Sequence, residues 1–503
     1  MNNAADLLAE NQALKLAIEE KELQIAQLKE TLKLFQQRRF GTSSEKVAPN
    51  QLGLFNEAEQ IADEEVPAGD EPSETYVEGH TRKRRPRVSI PEDLPCEDII
   101  HDLPDDQKTC PKDGTALKPI GYDDHKQLEI IPADIKVIRH RRVKYACPCC
   151  EQHLVTAPKP ALPIEKSIAG PSLLAYIVIQ KFCDALPLYR QSQIFARFGI
   201  QLDRSNLANW MIQCGRLIQP LLNLMQEHLE QQPVVHLDES TLQVLKEADK
   251  TPQSKSYMWV IATQISHPVI LYHYSPSRAQ TVPLALLNAN YQAIMVDGYE
   301  GYQKACDQYQ LTRLGCWQHA RHRFVEVKKL MKKGSTGSAD QALAFIQQLY
   351  RIEDRIKDEP PDKRYRIRQD EAKPVIDKMK AWLNKKLPHA PPSSALGKAM
   401  HYLNNQWERL VRYLEDGHYP IDNNYAENKI RPYAVGRKNW LFATSVSGAQ
   451  ASANLYSLVQ TAKANEVDLF DYLTQLFKEL PNATTVEQVE QLLPWHYKAA
   501  LEN

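Results

Sequence analysis

Apolar positions recur along the chain in three rhythms, and each predicts a different element. From Leu7 to Phe35 they fall on a heptad. One core position reads Leu7, Leu14, Lys21, Leu28, Phe35 and the other Asn11, Ile18, Ile25, Leu32, with Glu, Gln and Lys between them. About four heptads, with a core Asn and β-branched Ile opposite Leu, predict a parallel two-stranded coiled coil over residues 1–46 and hence a homo-oligomer. An amphipathic helix folded back on the chain's own body carries the same pattern. From Gly170 to about Leu229 the period is helical. Leu173, Leu174, Ile177, Val178 and Phe182 mark one helix; Ile194, Phe195 and Phe198 mark a second that stops at Gly199. Arg204 to Trp210 opens a third behind a polar residue. Helix, Gly-containing turn and polar-capped helix predict a helix-turn-helix-like domain over 165–230, with Ser205, Asn206 and Asn209 facing bases. A plain helical hairpin is the simpler alternative.

The third rhythm is a set of short runs rich in β-branched and aromatic residues. Val234–Leu237, Tyr257–Ala262, Pro268–Tyr274 and Ile294–Val296 read as strands, with a helix from Ala279 to Leu287 before the last. Strand, hairpin, helix, strand is the order of an RNase H-like core, here over 231–332. Asp238 and Asp297 follow the first and last runs, which places them at the ends of neighbouring strands. Leu314 to Phe324 reads as a strand running into a basic helix. From about Ser338 to Tyr419 the chain is helical and polar, with Leu396, Met400, Leu403, Trp407, Leu410 and Leu414 along one helix face. This is an all-helical insertion over 333–420, after which 421–465 resumes the core and 466–503 forms a C-terminal segment. The fold class is multidomain α/β: an RNase H-like core with a helical insertion, behind a coiled coil, a zinc-ribbon-like domain and a helix-turn-helix.

Composition narrows the partners. At 503 residues the chain suits several domains, and 43% apolar content is ordinary for a folded protein. With 62 Lys plus Arg against 63 Asp plus Glu, net charge is −1, so a uniformly basic coat is excluded and affinity for DNA must come from local patches. One such patch follows an acidic, aperiodic stretch. Residues 47–90 read as a disordered acidic linker ending in Arg82, Lys83, Arg84, Arg85 and Arg87, which suit a phosphate backbone or minor groove, or else a solvated linker. No run is apolar for long enough to cross a membrane, and the first residues lack a signal-peptide pattern, so the expected location is the cytoplasm. Nine cysteines, an odd number, argue for reduced thiols or a metal site rather than disulfides.

Candidate chemistry lies in two places. Cys110-Pro-Lys-Asp113-Gly114 and Cys147-Pro-Cys149-Cys150 resemble the two knuckles of a zinc ribbon over 91–160, with Cys110, Asp113, Cys147 and Cys150 as ligands of one structural Zn2+. Asp113 stands where a Cys is expected; Cys149, His101 or Cys96 could substitute, and a remnant ribbon held by packing alone is the alternative. The second place is a set of acids. Asp238, Asp297 and Glu427, the last in a predicted helix start at Asp422-Asn423-Asn424, could clamp two Mg2+ (or Mn2+) ions. Glu239 rivals Asp238, and Asp422 rivals Glu427 but suits the helix cap better. Arg431 lies one turn past Glu427. Gly436 to Trp440 reads as a basic, aromatic loop whose Arg437 and Lys438 suit phosphate contact. Cys316 and His319 have pair spacing without a second pair, which favours a polar network or packing over metal.

The chain resembles the DDE transposases of the bacterial insertion sequence 66 family over nearly its whole length. The matching stretches are Phe40-Gly41-Thr42-Ser43-Ser44-Glu45-Lys46, Val296-Asp297-Gly298-Tyr299, Cys316-Trp317-Gln318-His319-Ala320-Arg321, Asp422 to Arg431, and Leu492-Leu493-Pro494-Trp495. The resemblance implies a catalytic triad of Asp238, Asp297 and Glu427, and metal-dependent cleavage and strand transfer of DNA. It implies terminal inverted repeats and target DNA as substrates, accessory proteins of the same element as partners, and a bacterial cytoplasmic protein associated with the nucleoid when bound. Asp113 departs from the family's finger. Two other readings fit the same elements: a non-catalytic DNA-binding regulator, and an RNase H-like nuclease without strand transfer.

Overall fold

A computed structural model describes residues 135–141, 144–146, 154–156, 161–264, 266–331 and 337–502, with Lys21 and Lys29, both helical. The heptad segment as a whole, the linker with Arg82, Lys83, Arg84, Arg85 and Arg87, and the knuckle residues Cys96, His101, Cys110, Asp113, Cys147, Cys149 and Cys150 lie outside the described residues. The chain divides into two compact units, residues 58–159 and the remainder. In the smaller unit β1 (Lys144–Ala146) pairs antiparallel with β2 (Leu154–Thr156), Tyr145 opposite Val155. The alternation from Val137 to Tyr145 predicts a longer strand, yet 135–141 is irregular. Val137 and Ile138 are 93% and 68% exposed there, so no packed face rewards pairing.

From residue 171 the larger unit runs through four helices, α1 (Pro171–Phe182), α2 (Leu188–Arg197), α3 (Arg204–Leu217) and α4 (Gln219–Glu230). Pro171 starts α1, where its missing N–H costs nothing, and Leu174, Ile177, Val178 and Phe182 bury one face. Gly199 separates α2 from α3 at φ 79°, a left-handed turn that glycine adopts without strain. Asp203 precedes α3 in the capping position, but its side chain makes no capping bond.

The sheet follows. β3 (Val234–Lys246), β4 (Lys255–Ala262) and β5 (Ile270–Ser275) form an antiparallel meander. After α5 (Thr281–Leu286) comes β6 (Ala293–Val296), which lies parallel to β3; after α6 (Gln303–Tyr309), β7 (Thr312–Gly315) lies parallel to β6. The order is β5-β4-β3-β6-β7, giving a mixed α/β fold. α7 (Trp317–Leu330) leaves β7 directly.

The insertion consists of α8 (Ser338–Ile356), α9 (Pro361–Ile367), a π turn at Arg368–Ala372, α10 (Lys373–Lys386), α11 (Ala395–Asn405) and α12 (Trp407–Val411). The single helix face predicted from Leu396 to Leu414 is divided among α11, α12 and a 3-10 turn, the break falling at Gln406. The last elements are α13 (Asn424–Trp440), β8 (Ala443–Ser445), which pairs with the far end of β3, and α14 (Val446–Ala464), α15 (Leu469–Glu479), α16 (Val486–Glu490) and α17 (Pro494–Glu502).

Alternation along β6 separates two cores. Ile294 and Val296 join one cluster with α1, α3, α4 and α14; Ala293 and Met295 join another with Leu314, α7 and the insertion helices. The insertion therefore covers one face of the sheet. Among the described residues no helix is long and apolar enough to cross a membrane.

Candidate active site

Strand register brings the first two acids together. β3 matches β6 at Val234 with Ala293, Val235 with Ile294 and His236 with Met295, and two further steps set Asp238 beside Asp297. Asp297 lies just past β6, as expected. Asp238 does not end its strand: it pairs with Val260, and pairing with β4 runs on to Gln243 and Lys255. The apolar run stops at Leu237 because burial stops there, not because the ladder does. Each aspartate accepts a backbone N–H, Asp238 Oδ1 from Glu239 (2.8 Å) and Asp297 Oδ1 from Tyr299 (2.9 Å).

Glu427 sits in the first turn of α13, and Asn423 holds that turn against the sheet. Asn423, 1% exposed, donates its side-chain N–H to Leu237 O at 2.8 Å and sets Oδ1 3.2 Å from His236 Nδ1; its backbone N–H goes to Cys316 Sγ at 3.2 Å. Asp422 accepts bonds from Asn424 N, Asn424 Nδ2 and the Tyr350 hydroxyl, at 2.7–3.0 Å. The predicted cap is thus a turn of Asp422 onto Asn424, while Asn423 ties the helix to the residue before Asp238. Trp317 N also donates to Ile421 O at 3.2 Å, joining the starts of α7 and α13.

The rival Glu239 is occupied. It is ion-paired with Arg278 and accepts the Tyr302 hydroxyl at 2.8 Å. The same guanidinium lies 3.8 Å from Asp297 Oδ2 and stacks on the Tyr299 ring, 3.9 Å from its centroid.

Beyond Arg278, acids dominate the charge around Asp238 and Glu427. Burial, then the like charges of Glu239, Glu427 and Asp297, push the Asp238 carboxyl well above its usual range. Burial, with Asp422 and Asp297 adding repulsion, pushes Glu427 up to about 7. Both Glu427 carboxylate oxygens are buried without a hydrogen-bond partner. His319 Nδ1, equally unpartnered, lies 3.4 Å from Oε1, and burial lowers the His319 pKa. Cys316 Sγ, His319 and Glu427 offer ligand atoms within 4.8 Å of one another. Hard, uncompensated oxygens in a buried setting fit divalent cations, which would relieve the repulsion among them.

The family model for the IS66 transposases matches residues 166–451, more than half of the chain, and so spans all three acids. The chain belongs to the IS66 transposase family. Models for the zinc-finger binding domain of IS66 transposases, the IS66 C-terminal element and the Transposase C of IS166 homeodomain match residues 107–151, 457–495 and 27–99. Two proteins of Sinorhizobium fredii are similar throughout, both uncharacterized. One, y4jD, is 32% identical over 463 residues, covering 89% of this chain and 88% of its own length; the other, y4qI, is 30% identical over 496 residues, covering 94% and 89%. An IS66-family chain is a DNA-processing enzyme by type, with DNA as its partner, and the family points to divalent metal and, in the finger, zinc.

On this IS66-family chain the expected DNA-contact residues divide. Ser205, Asn206 and Asn209 are exposed on the first turns of α3. Lys438 is exposed, but Arg437 donates to Ser240 Oγ and to Thr241 Oγ1 and O, which binds it to β3. Gly436 to Trp440 is helix rather than loop, because α13 continues to Trp440. Trp440 packs on Tyr433 and Tyr456 with Lys181 Nζ 4.4 Å above its ring, so it is not open to a base. The exposed apolar pair is Leu441 and Phe442. Arg431 stands on α13 one turn past Glu427. Sequence reasoning missed Asn423 and Arg278 as site residues; the doubled Asn at the helix start was a usable signal for the first, and nothing local marked the second.

Proposed function

We propose that the chain is a DDE transposase that cleaves DNA at the ends of an insertion sequence and transfers the freed strand to target DNA. The observation that carries this is the placement of Glu427: Asn423 pins its helix to the residue preceding Asp238, with both Glu427 oxygens buried and unpartnered among other acids. The strand order β5-β4-β3-β6-β7, antiparallel then parallel, supports an RNase H-like core. Two bound ions, Mg2+ or Mn2+, would supply Lewis acidity and neutralise charge at phosphorus. Asp238 and Asp297 hold them from the sheet and Glu427 from the helix. Arg278 keeps Glu239 paired, and so out of the ligand set, while steadying Asp297. Lys438 and Arg431 serve phosphates; Ser205, Asn206 and Asn209 serve base edges. A coiled coil at residues 1–46 would join two copies for two ends, Arg82–Arg87 would add phosphate contact, and one Zn2+ on Cys110, Asp113, Cys147 and Cys150 would order the finger.

The test is nicking and joining of an oligonucleotide carrying the element's end, with divalent cation. Asp238→Asn, Asp297→Asn and Glu427→Gln are each expected to reduce strand cleavage by about three orders of magnitude or more while retaining end binding. Undiminished cleavage by any of the three removes that residue from the site. Wild-type binding without nicking would favour a regulator, and nicking without joining a simple nuclease.

A further inference from the structure

We propose that His319 is a nitrogen ligand to the cation held by Glu427, so that this half of the site is a mixed nitrogen–oxygen site. The inference rests on reading Glu427 as a metal carboxylate. His319 occupies the first turn of α7 and Glu427 the first turn of α13. The two turns are fastened by backbone contacts, Trp317 N to Ile421 O and Asn423 N to Cys316 Sγ, so the approach of the two side chains is set by the fold.

Their spacing is informative. At 3.4 Å, Nδ1 and Oε1 are farther apart than in a good N–H···O bond, and neither forms a bond elsewhere. Two donors each about 2.1 Å from one ion stand about 3 Å apart at a right angle and about 3.4 Å apart at the tetrahedral angle. Buried nitrogen and oxygen left without partners destabilise a fold, and Glu427 is 9% exposed by side chain; a shared ion would satisfy both. Cys316 lies in the same cluster, but its Sγ already takes the Asn423 N–H and it is 2% exposed, so the ligands are assigned to imidazole and carboxylate. Mn2+, though oxygen-preferring, accepts an imidazole nitrogen more readily than Mg2+, so of these two ions this half-site should favour Mn2+.

Pulsed electron paramagnetic resonance of Mn2+ bound to the full-length protein decides the matter. Expected is a 14N modulation that changes to the 15N pattern on labelling with 15N-histidine, a readout needing no substitution. His319→Gln should remove the modulation and weaken Mn2+ binding about tenfold or more, with a smaller change for Mg2+, whereas His322→Gln should keep both. Mn2+ binding that depends on Asp238 and Asp297 but shows no histidine nitrogen would overturn the assignment and leave the DDE reading standing. A histidine signal lost in both His319→Gln and Glu427→Gln, in a protein whose cleavage survives Glu427→Gln, would support the ligand and remove Glu427 from catalysis. Absence of any bound Mn2+ would overturn both.

Discussion

Asn423 is the residue on which the geometry of the site turns, though it is not one of the acids. Replacing it with Ala strands Leu237 O and removes the bond facing His236, so Asn423→Ala should lower stability by about 1–3 kcal/mol. Cleavage should fall too, because Glu427 loses its anchor; a thermal melt and the nicking assay read the two effects, and an unchanged melt would remove the anchoring role. His236 gives a pH signature. Burial lowers its pKa to about 4, with Asn423 opposing the shift. A histidine depressed in the fold contributes stability that is complete above its unfolded pKa, about 6.5, and is lost as pH falls through the folded value. Wild type should therefore lose about 3 kcal/mol more than His236→Gln between pH 6.5 and 4, measured by denaturant titration; equal losses would refute it. Little of this network was legible. The apolar run before Asp297 marked a strand end, but the partner of the Asn423 side chain, Leu237 O, lies 186 residues away, and local pattern carries no trace of such a contact.

At the scale of elements, hydrophobic runs located the strands well and their ends poorly. Ile294–Val296 and Tyr257–Ala262 became β6 and β4 nearly as predicted, since buried strands are apolar along their length. β3 outruns its apolar stretch because Asp238 to Thr241 are only half-buried while the backbone continues to pair, and burial resumes at Leu242 and Val244. The same limitation hid the break at Gln406: periodicity follows a buried stripe whether or not the helix beneath it is continuous. Helix crossing supplies a test here. A Cβ on Gly215 of α3 would stand 2.9 Å from Ala451 Cα of α14, so the two backbones touch. Gly215→Val should destabilise by about 1–3 kcal/mol, more than Gly215→Ala, in chemical denaturation. If both variants match wild type, the crossing is not close-packed.

For the whole molecule, the insertion is a layer of the fold and not an appendage. Its core is continuous with Met295, Leu314, Trp317 and Phe324, and Trp317 Nε1 donates to Leu410 O at 2.8 Å. Removing residues 338–419 should thus yield an aggregated chain rather than a minimal core, as size-exclusion chromatography would reveal; a monodisperse, folded product would contradict this. The layer is locked by Arg368, wholly buried at the π turn, whose guanidinium binds both oxygens of Glu353 and the carbonyls of Tyr413, Asp416 and Tyr419. Arg368→Met leaves the buried Glu353 carboxylate only its longer ion pair with Arg364, at 3.7 Å, and should cost about 3 kcal/mol, with Glu353→Met recovering part of it in the double variant. Sequence periodicity marked this region as helical, but a polar helical stretch gives no sign of which surface it will roof.

Gly215 packs on Ala451, and Val244 lies alongside Ala443. The early helices and the central strand therefore wait for a segment that leaves the ribosome some two hundred residues later. A nascent chain halted before that point holds Asp238 and Asp297 but neither Glu427 nor the helix that closes its first core, so under the function proposed above an interrupted copy would cut no DNA.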